Sequence, residues 1–191
     1  TYLDFKAKGF ENHLFQVSFS DLWCDQALFE KTLGEKIAEI EKRPREEKAL
    51  RIGYIGVPPM TSDIYDFAEN NDAKIIYNEV QREFAFPRGK KAKNIYEQYY
   101  DYTYVYDVDF RIEELKRQTE LRKLDGIIHY TQAICYRAIE DIVLKEKLDV
   151  PILNIEGDTN NLLDERTKLR IEAFLDMLKD LRRDSDEDCR N

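Results

Sequence analysis

Cys135, in the run IIHYTQAICYRAIED, stands about where an apolar, strand-like segment hands over to a helix. At a helix N-terminus the macrodipole and the free N–H groups favour a thiolate, the form of cysteine that ligates metals or attacks electrophiles. The same position also suits a small buried hydrophobe in the helix's first turn, and spacing alone leaves both readings open. His129 lies six residues earlier on the strand with no evident orienting partner, so a Cys/His catalytic pair is the weaker reading and a satisfied core histidine the plainer one. Glu156 and Asp158, in VPILNIEGD, are an acid/base pair, a hydroxyl-binding pair or the caps of the loop that follows.

Several chemistries are excluded. Gly53-x-x-Gly56 lacks a third glycine and runs into Pro58-Pro59, so the dinucleotide fingerprint is absent. There is no GxxxxGK[ST], and Val57-Pro58-Pro59 stands where a phospho-receiver would need paired acids. Two distant histidines and the lack of a CxxC rule out a His-rich or CxxC metal site. Cys24 follows Trp23 in an apolar context and reads as packing, while Cys189 lies in an acidic tail and reads as exposed. Six tyrosines (Tyr96, Tyr99, Tyr100, Tyr102, Tyr104 and Tyr106) line a substrate channel, cover a sheet edge or form a subunit contact. The basic stretch Arg88, Lys90, Lys91 and Lys93 meets a phosphorylated ligand or is a solvated loop.

A single domain suffices to position these groups. The chain has 191 residues, with 30 Lys+Arg against 39 Asp+Glu and a net charge of −9. That length is one domain of ordinary size, able to form a core without disulfides. The acidic balance argues against nucleic acid or an anionic membrane face as partner. No apolar run approaches the roughly 20 residues a membrane span needs. Three widely spaced cysteines make a disulfide framework improbable and fit a reducing cytoplasm. Thr1 in place of Met points to an upstream segment.

Residues 1–24 are aromatic-rich and irregular, ending in Asp21 and Asp25, either of which caps the next helix. Leu28, Leu33, Ile37 and Ile40 fall near a 3.6 period and predict a helix to about Lys42. The run RPREEK then marks a linker. Short apolar runs predict buried strands at 49–57, 73–80, 125–130 and 150–158, the last opened by Pro151 at a position where a strand tolerates proline. Helices are predicted over 62–71, 108–123, 133–147 and 164–182. Alternating strands and helices imply right-handed βαβ units. The expected fold is α/β: a flavodoxin-like, doubly wound, four-stranded parallel sheet of order 2-1-3-4, helices on both faces, preceded by a helical connector. The expected units are a connector (1–48), the α/β domain (49–183) and a disordered acidic tail (184–191).

In such sheets ligands bind beyond the carboxyl ends of the strands. Those ends deliver Pro59, Glu79, Gln81, Tyr130, Gln132, Glu156 and Asp158, with Cys135 close by.

These motifs together resemble one family. GIIHYTQAICYRAIEDIVLKEKLDVPILNIEGD is similar to the C-terminal domain of the 2-hydroxyacyl-CoA dehydratase / benzoyl-CoA reductase family, the D-component type. RIGYIGVPP, YNEVQREFAFP, YTYVYDV and RTKLRIEAFLDML match further stretches in order over about residues 50–180, and GFENHLFQVSFSDLWCD fits the helical connector before that domain. The resemblance implies an iron–sulfur cluster, 4Fe–4S or a bridged double cubane, held between two flavodoxin-like domains. It places Cys135 at a ligand position and assigns the other ligands to an N-terminal domain. It further implies an ATP-dependent activator protein, whose low-potential electron turns a CoA thioester into a ketyl radical from which the 2-hydroxyl leaves. Related members reduce aromatic thioesters, and a double-cluster branch reduces small molecules.

Members are roughly twice as long, and the N-terminal domain has no counterpart here. Cys24 and Cys189 are poor substitutes for the missing ligands, since neither ends a predicted strand. The expectation is therefore a C-terminal half that acts with a missing N-terminal domain or a second dehydratase subunit, without cluster or activity alone. Two rivals stand beside this lyase reading: a non-catalytic α/β binding module, and a cluster-containing reductase of small molecules.

Overall fold

A computed structural model of the chain describes residues 6–45, 49–100, 107–157 and 161–188. Four strands form one parallel sheet: β1 (Leu50–Gly56), β2 (Ala73–Asn78), β3 (Gly126–Gln132) and β4 (Ile152–Gly157). Their order is β2-β1-β3-β4, as the alternation of apolar runs and helices predicts. The order reverses between β1 and β3, where Ile52 to Gly56 pair with Gly126 to Tyr130. The flavodoxin-like reading holds.

Residues of alternating orientation carry two cores. On one face Ile52, Tyr54, Ile128, Tyr130 and Ile155 pack against α3 (Ile64–Asn70) and α8 (Glu165–Asp188), chiefly Tyr65, Ala68, Ile171, Phe174, Leu175 and Leu178. On the other, Ile55, Ile127 and Tyr77 meet α6 (Val108–Arg122) and α7 (Arg137–Lys147) through Ile112, Leu115 and Leu144. Short helices α4 (Glu79–Glu83) and α5 (Ile95–Tyr100) lie between β2 and α6. β4 is an edge strand. Ile127 donates its N–H to the Pro151 carbonyl, so the Asn154 carbonyl points outward, where Arg170 of α8 donates to it at 2.6 Å.

The aromatic N-terminal stretch is not irregular throughout. It forms α1 (Gly9–Ser18), whose Glu11 carboxylate accepts the Lys8 N–H at 3.1 Å and the Arg43 guanidinium at 2.6 and 2.8 Å. A 3-10 turn (Leu22–Cys24) follows, all three residues at positive φ, with the Trp23 ring 5.2 Å from Phe29. Asp25 caps α2 (Gln26–Glu41) by accepting the Leu28 N–H, while Asp21 serves the 3-10 turn. At the other end α8 runs to Asp188, past the expected end near 182 and into the stretch expected as a disordered tail.

Candidate functional site

Two loops flank the reversal of strand order: residues 57–63 after β1 and 133–136 after β3. β3 reaches Gln132 and α7 begins only at Arg137, so the helix expected from 133 starts four residues late. Cys135 therefore sits in the turn before the helix and not in its first turn. Its N–H donates to the Gln132 carbonyl at 2.8 Å, and its own carbonyl accepts the Ala138 N–H at 3.0 Å. The thiol is half-buried, and its neighbours Ile134 and Tyr136 are 97% and 62% exposed. A buried first-turn hydrophobe is not what the chain builds here.

The other strand-end residues divide into two groups. Pro59 and Gln132 are half-buried and Glu156 is exposed, all at the carboxyl edge. Tyr130 is buried, its hydroxyl accepting the Met60 N–H at 3.2 Å. With Thr61, Glu156 and Gly157 it lines a concavity of about 40 Å³. Asp158 lies outside the described residues, as do Tyr102, Tyr104, Tyr106 and Cys189. Glu79 and Gln81, expected at the rim, are instead fully buried. Gln81 turns to Tyr65 and to His13 of α1, at 3.4 and 3.2 Å.

Glu79 belongs to a charged network beneath the rim that the residue pattern did not reveal. Arg111 of α6, itself without exposed surface, donates Nε and Nη2 to the two Glu79 oxygens at 2.7 Å each. Its Nη1 donates to Glu140 of α7, which also pairs with Arg137 at 3.4 Å. Glu79 Oε2 accepts the Gly56 N–H at 2.9 Å, tying the end of β1 into the same group. Burial works to raise the Glu79 carboxyl, but the charge and hydrogen bonds of Arg111 with the Gly56 N–H bring it to about 2. Arg111, Leu115, Gln118 and Arg122 recur at helical spacing and are all buried. The inward stripe of α6 is thus largely polar, and a search for apolar periodicity passes over it.

His129 has the orienting partner the strand did not suggest. Its Nδ1 lies 3.0 Å from Asp141 Oδ1 on α7, and Asp141 Oδ2 meets Lys145 at 2.7 Å. Its Nε2 is buried with no hydrogen-bond partner among the described residues. Burial lowers the His129 pKa, against the pull of Asp141, and burial likewise lowers that of His13. The folded protein thus resists protonating two imidazoles that the unfolded chain protonates near pH 6.5. The histidine contribution to stability is expected to be constant above neutrality and to fall as pH drops from 6.5 toward 5, by at most about 1.4 kcal/mol per pH unit per histidine. Urea unfolding across this window checks it, and His129→Gln should flatten the slope. An unchanged slope would show that His129 titrates alike in both states.

Cys24 is exposed rather than packed. Arg88 is ion-paired with Glu83, with its guanidinium 5.6 Å from the centre of the Phe110 ring, whereas Lys91 and Lys93 are exposed. Tyr96 and Tyr99 are 84% and 55% exposed. Among the described residues no group of three or more His, Cys, Asp or Glu side chains is placed to hold a metal ion. Among them, too, no helix is long and apolar enough to cross a membrane.

The profile of the family described as 2-hydroxyglutaryl-CoA dehydratase, D-component, matches residues 6–178. No curated protein matches the chain.

Proposed function

Because the chain belongs to the 2-hydroxyglutaryl-CoA dehydratase D-component family, we propose that it forms the C-terminal α/β part of a 2-hydroxyacyl-CoA dehydratase subunit, with Cys135 as one thiolate ligand of an iron–sulfur cluster. The observation that carries this reading is the Cys135 turn. A half-buried thiol stands at the reversal of strand order, outside the helix, between two outward-facing apolar residues. The described residues fit one ligand of a cubane and not the set, since such clusters ordinarily take four cysteine thiolates. The remaining ligands come from an N-terminal domain or a second subunit.

The activity so proposed is a lyase reaction in a reducing cytoplasm: loss of water from a 2-hydroxyacyl-CoA thioester, driven by a low-potential electron from an ATP-dependent activator protein. This chain's part is positional. Pro59, Gln132, Tyr130 and Glu156 line the cleft beside Cys135. Glu79 and Gln81 support it from beneath, and the exposed Ile134 and Tyr136 keep water from the thiolate once covered.

Iron and acid-labile sulfide counted anaerobically on the longest native polypeptide test the reading. About four irons per polypeptide are expected, with at least half lost in Cys135→Ser and none lost in Cys24→Ser. Unchanged iron in Cys135→Ser removes the ligand assignment. A native polypeptide without iron favours the non-catalytic binding module, which the incomplete donor set also suits.

A further inference from the structure

The position of the Cys135 turn depends on how α7 is attached, and the two halves of α7 are attached differently. Its C-terminal half is held by apolar packing, with Leu144 fully buried and Leu148 just beyond the helix nearly so. Its N-terminal half has no such anchor: Ile139 and Ile142 are each 77% exposed, as Ile134 and Tyr136 before them largely are. What faces inward there is charged, namely Arg137, Glu140 and Asp141, and Glu140 is gripped by Arg111. The same guanidinium forks onto Glu79, which holds the Gly56 N–H where β1 passes into the Pro58-Pro59 loop.

We propose that Arg111 is a positioning residue that sets the Cys135 turn against the loop after β1, by holding Glu140 on α7 with one arm and, through Glu79, Gly56 with the other. Its importance for a cluster rests on the reading of Cys135 as a ligand; the mechanical linkage itself does not. Lysine keeps the charge but offers no rigid fork spanning two carboxylates. Arg111→Lys should therefore loosen both loops, and Glu140→Gln, which weakens one arm, should loosen only the turn.

Amide hydrogen exchange of the full 191-residue chain reads this directly. In Arg111→Lys, exchange is expected to rise at least tenfold in residues 135–141 and in residues 55–60, beyond any global change. In Glu140→Gln the rise is confined to 135–141. Ile171→Val, which thins the core on the opposite face, supplies the comparison for simple destabilisation and should leave both loops in proportion to the rest. If Arg111→Lys shifts the two loops no more than Ile171→Val does, or if Glu140→Gln shifts them equally, the proposal is overturned. Should Arg111→Lys fail to fold, confinement of the Glu140→Gln rise to 135–141 supports the α7 arm, and its absence overturns it. The expected exchange pattern together with unchanged iron in Cys135→Ser overturns the ligand reading and leaves the linkage standing.

Discussion

Arg111→Met is expected to lower the unfolding free energy by about 3–5 kcal/mol, the usual cost of removing one partner of a buried ion pair. The charge left behind is that of Glu79, which has 1% of its surface exposed. Adding Glu79→Gln to Arg111→Met should recover much of the loss. The carboxamide carries no charge, yet its oxygen still accepts the Gly56 N–H, so the double variant strands no ion on the Glu79 side. Urea midpoints of the two single variants and the double form the test. A double variant as unstable as the sum of its parts would mean that the pair contributes through packing rather than through compensation of charge.

Gly56→Ala is the second large expected loss, about 2–5 kcal/mol from positive φ and overpacking together. Gly56 has φ +91°, and a Cβ there would lie 2.1 Å from the Tyr130 carbonyl oxygen. The obstacle is backbone, which cannot rotate aside, and it lies on the hydrogen-bonded neighbour strand. Gly34→Ala gives the opposite sign. A Cβ at this position in α2 meets nothing within 4 Å, so replacing glycine in the helix should stabilise by about 0.5–1 kcal/mol. Thermal midpoints moving in opposite directions would confirm that the site around Gly56, and not glycine removal in general, is responsible. A Gly56→Ala variant as stable as the parent would show that the β1–β3 junction relaxes freely.

The sheet was legible because buried parallel strands are near-continuous apolar runs, as Leu50–Gly56 and Gly126–Tyr130 are. The start of α7 was not. Thr131 to Tyr136 contain neither Gly nor Pro to mark a boundary, and what draws Thr131 and Gln132 into β3 is pairing with Glu156 and Gly157, which are distant in sequence. The same limit hid α1, whose aromatic residues find their partners across the fold, with His13 against Tyr65 at 5.2 Å. For the site, cysteine at a strand end could be read directly. Arg111, Glu140 and Asp141 could not, because a charged residue on a helix reads as solvent-facing until the tertiary contact that buries it is known.

The outward carbonyl of Asn154 bears on how copies of this chain behave in concentrated solution. An open strand edge invites the edge of another molecule, and the pairing needs successive unfilled donors and acceptors at one spacing. Arg170 occupies one of those acceptors at 2.6 Å and sets a long cationic side chain across the approach. A second strand seeking to lengthen the sheet would have to displace a charge-assisted bond before gaining its own. The arginine thus fills one acceptor of the β4 edge and places its cation where an added strand would have to pair.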